Sequence, residues 1–229
     1  GLPSFSIVGL PETTVKESKE RVRSAILNNQ FEFPLSRITV NLAPADLPKE
    51  GGRFDLPIAI GILIASGQLK TDNIEQYEII GELSLTGELR GIHGALPVSL
   101  ATKQAKRTLI LPRENADEAT LIENSQCLPA THLLEVSAHI NGNTPITPHP
   151  EPEITPLNDE QPDLLEVYGH EHAKRALQIA AAGGHNLLMI GPPGAGKTML
   201  AERLPGIMPP MTEEQALESA AIASVSRHG

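Results

Sequence analysis

Short apolar runs and one-sided apolar periodicities succeed one another along the chain, and each predicts an element. Phe5 to Val8 is a strand-like run that ends in a Gly-Leu-Pro-Glu turn. A helix follows, because Thr14 and Glu17 have capping-box spacing and Val15, Val22, Ala25, Ile26 and Leu27 fall mainly on one side, up to Asn28 or Asn29. Arg37 to Leu42 alternates as a strand does. Leu56 to Ser66 is apolar nearly all round and predicts a buried helix. Tyr77 to Ile80 reads as a strand, Thr86-Gly87 as a turn between paired segments within Ser84 to Leu89, and Leu96 to Ala105 as a helix. Thr108 to Leu111 is a strand, Ala116 to Glu123 a helix, and Leu133 to Val136 a strand or the start of a helix. Further on, Glu171 to Ala182 is rich in helix formers and Gly183-Gly184 stops it, while Asn186 to Ile190 is a run suited to a buried strand. Strands and helices interleave without a fixed repeat, so the class is α/β or α+β.

Between these two patterned regions, residues 140–163 carry six of the 20 prolines, no Lys or Arg and no apolar periodicity. Proline fixes φ and removes amide donors, so this stretch is expected to be a linker. It separates a domain over residues 1–139 from a second over 164–229. Charge sharpens the division. Of the net −10, the linker alone holds −5, the first domain −4 and the second −1. An acidic balance gives no support to a broad phosphate-binding surface. A single cysteine, Cys127, suits a reducing compartment, and with no apolar stretch near the roughly 20 residues that a membrane span needs, a cytoplasmic protein without membrane contact is expected. Gly rather than Met at residue 1 suggests a piece of a longer protein.

Residues 191–198 read GPPGAGKT and satisfy G-x-x-x-x-G-K-[ST] at every fixed position. Backbone N–H groups must turn inward around phosphate oxygens, which favours glycine at Gly194 and Gly196. Lys197 is then expected to bring its ammonium to the β and γ phosphates, and Thr198 its hydroxyl to Mg²⁺. A strand before the loop and a helix starting near Lys197 complete the expected setting. The nucleotide-binding residues expected from the motif are Gly191, Pro192, Pro193, Gly194, Ala195, Gly196, Lys197, Thr198 and Met199, with ATP and Mg²⁺ as cofactors and Lys197 as the catalytic group. Hydrolysis also needs acidic residues at the end of a second strand. Glu202, Glu213, Glu214 and Glu218 lie on helical-looking sequence instead, so this chain alone is expected to hydrolyse little ATP.

Four stretches, GLPSFSIVGLPETTVKESKERVRSAI, NLAPADLPKEGGRFDLPIAIGIL, GELSLTGELRGIHGALP and YGHEHAKRALQIAAAGGHNLLMIGPPGAGKTMLAERLPGIMPP, together resemble the YifB/ComM group of magnesium-chelatase-like AAA+ ATPases. The resemblance covers essentially the whole chain. It implies an α+β, Lon-protease-like first domain followed by the start of a P-loop α/β module, with Val167, Tyr168 and Gly169 lining an adenine pocket. It further implies hexamers with nucleotide at subunit boundaries and helicase-like branch migration of DNA during natural transformation. Where Lon proteases carry a Ser-Lys dyad, this chain has Ile58 and Leu96, neither of which can act as nucleophile or base, so the first domain is expected not to cleave peptides. Ser66, Ser84, Ser99 and Lys103 have no spacing that singles them out as replacements. Two alternatives stay open: a chelatase-type ATPase that remodels a partner protein, and an ATP-dependent protease, which Ile58 and Leu96 oppose. The eight histidines, including His93, His132, His139, His170, His172 and His185, show no metal-ligand spacing, and Cys127 has no local His or Lys to activate it.

Overall fold

The computed structural model describes residues 3–9, 13–44, 51–70, 73–152 and 162–226. They form two compact units, Gly1–Pro152 with Leu217–Gly229, and Glu153–Ala216. Helices mix with parallel and antiparallel strand pairs, which is the expected α/β class.

In the first unit, β1 (Ser4–Val8) pairs in parallel with β2 (Arg37–Asn41), and α1 (Thr13–Asn28) makes the crossover between them. The Thr14 side chain, invoked for the capping box, lies outside the described residues. α2 (Asp55–Ala65) buries Leu56, Ile58, Ala59, Ile60, Ile62 and Leu63, as its all-round apolarity requires. Pro57 is tolerated because it sits in the first turn, where its missing N–H has no intrahelical acceptor. Val22, Ala25 and Ile26 of α1 join this core.

β3 (Tyr77–Ile79), β6 (Thr108–Pro112) and β7 (Cys127–Ala130) make a parallel sheet in the order β3-β6-β7, and β4 (Glu82–Leu83) with β5 (Leu89–Arg90) makes a hairpin. The hairpin turn contains Gly87 at φ +97°, where a Cβ would collide with the Asn29 side chain. Asn28 and Asn29, at the end of α1, hold that turn by donating to the carbonyls of Leu85 and Thr86 at 2.7 and 2.8 Å. α3 (Ala95–Gln104) follows as expected, but α4 spans only Ala116–Ala119, because the Thr120 hydroxyl turns back onto the Ala116 carbonyl and Asn124 takes a left-handed φ of +54°. Leu133 to Val136 resolves as helix, within α5 (Leu133–Ile140).

Residues 143–151, expected in the linker, run against the first unit. Ile146 is buried in its core, the His149 amide donates to the Cys127 carbonyl at 3.0 Å, and Glu151 accepts from the Asn124 amide at 2.6 Å. His139 governs the start of this segment. Its Nδ1 accepts the Ile146 amide hydrogen at 3.0 Å, so the proton resides on Nε2, which faces the Tyr77 hydroxyl at 3.1 Å. Burial lowers the His139 pKa below its ordinary 6.5. A base whose folded pKa is depressed contributes stability above its unfolded pKa, and that contribution is lost as pH falls below 6.5 toward the folded value. Urea midpoints measured at about pH 7.5 and about pH 5.5 should therefore fall more steeply for the native chain than for His139→Asn. Parallel slopes would show that His139 is not the titrating group.

In the second unit, α6 (Glu171–Gly183) ends at Gly184, which takes the left-handed φ of +62°. α7 covers Lys197–Ala201, and α8 (Glu213–Val225) has residues of both units. Leu164, Val167, Leu177 and Leu200 form the core, backed by Met189, Met199, Leu204 and Ile207. Arg203 ties the unit's entry to this core by donating to Asp163 O, Met199 O and the Glu166 carboxylate. Residues 186–190 form no strand. A strand exists only as part of a ladder, and no described segment of this unit pairs with them, which leaves Leu188 82% and Ile190 89% exposed.

Candidate nucleotide-binding site

The loop 191–198 folds as its spacing demands. Gly194 and Gly196 sit at φ +79° and +73°, the left-handed region that an L side chain rarely adopts. At Gly194 the backbone angle alone imposes glycine, since a Cβ there would meet nothing within 4 Å. The amides of Gly194, Gly196, Lys197 and Thr198 have no protein acceptor among the described residues, which leaves four loop donors for a ligand, while the Ala195 amide donates to the Pro192 carbonyl. Lys197 arches back over the loop, and its Nζ donates to the carbonyls of Gly191 and Pro192 at 2.8 and 2.8 Å. Gly191, Pro192, Pro193 and Thr198 are exposed, while Ala195 and Met199 are half-buried. Met199 turns toward the unit's core, as a packing residue rather than a loop donor. The helix expected after the loop is a single short turn, α7, so a helix dipole adds little here.

The segment expected to line an adenine pocket is divided. Val167 is buried with Leu164, Leu177 and Leu200, whereas Tyr168 is 95% exposed and Gly169 takes a φ of +67°. The residue that reaches the loop is the next one, His170. It is held at φ +57°, a conformation that costs a non-glycine residue about 1 kcal/mol or more, and it starts α6 through its carbonyl. Its Nε2 lies 3.6 Å from where a Cβ on Gly196 would stand. Sequence alone gave only the Gly-His pair before a helix; the approach to Gly196 is made by the fold.

Glu202 caps α7, and Glu214 and Glu218 are exposed on α8. Ile58 and Leu96 are both buried, Ile58 within the apolar core of the first unit, and the Leu96 amide donates to Glu118 at 3.2 Å. Burial raises the Cys127 pKa, against hydrogen bonds with Ser125, to which the thiol donates, and with Ser99 that lower it. Among the described residues no three His, Cys, Asp or Glu side chains are grouped to hold a metal ion, and no helix is long and apolar enough to cross a membrane.

Residues 1–115 match the family model of subunit ChlI of Mg-chelatase, and residues 163–229 match a second model described as magnesium chelatase, subunit ChlI. The chain belongs to the Mg-chelatase ChlI family. Within it, competence protein ComM of Haemophilus influenzae is 53% identical over 234 residues, covering 98% of this chain and 45% of that protein. The YifB proteins of Salmonella typhimurium and Escherichia coli are 55% and 53% identical over 225 residues, covering 98% of this chain and 44% of each. The chain thus spans about half the length of these relatives. The second family match contains the whole of the 191–198 loop, and the first ends before it.

Proposed function

We propose that this chain carries the ATP-binding loop of a nucleotide-driven motor that works on DNA, as a branch-migrating helicase in recombination during natural transformation. The observation that carries the reading is the loop itself, with Gly194 and Gly196 left-handed, Lys197 folded back onto the loop and four amides without a protein acceptor among the described residues. That donor set fits a polyphosphate: the amides surround its oxygens and the Lys197 ammonium neutralises charge as it builds on the β and γ groups. Thr198, exposed beside Lys197, offers the hydroxyl that would hold Mg²⁺, and the ion when bound would screen the phosphate charge. The His170 ring approaches the loop at Gly196.

The competence role is supported by the name competence protein ComM, borne by a relative 53% identical, and the work on DNA is the reading we attach to that role. An exposed loop also suits a site completed by a neighbouring subunit, in keeping with a hexamer. The first unit is read as a Lon-like fold without proteolysis, because Ile58 and Leu96 offer no nucleophile or base. The net charge of −10 favours a second reading, an ATPase that remodels a partner protein.

The deciding experiment is ATP hydrolysis by the full-length protein with single-stranded, duplex and branched DNA. Stimulation that weakens as salt rises is expected, because phosphate contacts release counterions. Turnover indifferent to every DNA would transfer the proposal to the remodelling ATPase.

A further inference from the structure

Outside the nucleotide site, the first unit contains a groove of ≈ 530 Å³ between β2 and α2. Ile38, Val40 and Leu42 form one wall, and Phe54, Ile58 and Ile62 the other. Three independent features indicate what fits it. The first is the ladder. β2 pairs with β1 on one side only, and its outer edge meets no strand among the described residues, so a row of backbone donors and acceptors borders the groove. The second is Gly61, inside α2 and exposed in the groove wall. A Cβ there would meet nothing within 4 Å, so the fold itself would accept alanine, which is more favourable than glycine in a helix interior. A helical glycine that packing does not require leaves room for another backbone to approach. The third is Arg37, the only charged residue of the lining, exposed and without an ion-pair partner among the described residues.

We propose that this groove binds an extended segment of a partner polypeptide, which adds to the outer edge of β2 as a strand. Its backbone passes over Gly61, alternate apolar side chains enter the groove, and a carboxylate side chain meets Arg37. Strand addition of this kind takes its affinity from main-chain hydrogen bonds and its selectivity from pockets for alternate side chains. Ile58 stands in the wall without a nucleophilic atom, so the segment is held and not cut.

The test uses the isotopically labelled chain and the peptide acetyl-Thr-Val-Thr-Val-Thr-Val-Asp-amide. Amide shifts are expected on β2 and along α2, and a peptide with proline at the central threonine, which cannot complete the ladder, should leave them unmoved. Gly61→Leu should weaken binding by roughly tenfold or more while the chain stays folded. Gly61→Ala serves as the second variant, with a raised melting temperature and a smaller loss of binding. Arg37→Gln should weaken the Asp peptide but leave its Asn counterpart unchanged. Absence of shifts at millimolar peptide, shifts elsewhere on the chain, or affinity indifferent to Gly61→Leu would each overturn the proposal. So would protection of the β2 amides without peptide that grows with protein concentration, since the occupant would then be a second copy of this chain.

Discussion

Replacing Lys197 with alanine should remove ATP turnover from the full-length protein, by about 100-fold or more, since losing one preorganised donor at a developing charge commonly costs that factor. The geometry explains why the loss is large. The Lys197 ammonium, 2.8 Å from the carbonyls of both Gly191 and Pro192, also ties the two ends of the loop together. Alanine removes the charge and the tie at once. Lys197→Arg should not restore turnover, because a planar guanidinium cannot place a compact point charge in the same space. Phosphate release and binding of a fluorescent ATP analogue give the two readouts. The circular dichroism spectrum should stay native, since Lys197 lies outside the apolar core of its unit. Turnover within twofold of the native protein would remove the loop from the mechanism.

The loop was legible in the sequence because its chemistry fixes residue types at fixed intervals: glycines where φ must be positive, a lysine where a charge must reach. β1, β2, β3, β6 and α2 were legible because burial imposes a period or an unbroken apolar run. β7 was not, since Pro129 argues against a strand; the fold accepts it because, among the described residues, β7 lies at the sheet edge and pairs only with β6. Asn186 to Ile190 has a strand's composition, but composition does not supply a neighbour to pair with. The stretch 143–151 reads as free linker by its prolines, yet one buried isoleucine and a few backbone bonds hold it on the first unit. The place of His170 at the loop was not legible for a related reason. Its backbone strain and its approach to Gly196 arise from where α6 and the loop meet, which no local pattern encodes.

The least legible feature of all is the buried charge that joins α1, α2 and β4. Asp55 is 0% exposed, immediately before an apolar run that reads as pure core. Ser18 donates to Asp55 Oδ1, Arg21 Nε donates to Oδ2 at 2.6 Å and Arg21 Nη2 to Oδ1 at 3.2 Å, and the Leu83 amide reaches Oδ2 at 3.2 Å. The hydrogen bonds to Asp55, and then its charge, raise the Arg21 pKa further above its ordinary value against the cost of burial, so the guanidinium stays charged. Arg21→Met should therefore destabilise the first unit by about 3–5 kcal/mol, because it strands a carboxylate in the core without its counter-charge. For a domain of this size that lowers the melting temperature by roughly 10 °C. Asp55→Asn should cost less, since its one carbonyl oxygen still accepts from Ser18 and the change leaves Arg21, whose side chain is 21% exposed, access to water. Combining the two should recover part of the Arg21→Met loss, because the stranded charge is then gone, and a double-mutant cycle by urea denaturation measures the coupling. If Arg21→Met cost under about 1 kcal/mol, within the range of an exposed ion pair, Asp55 would be satisfied by its hydroxyl and amide donors alone.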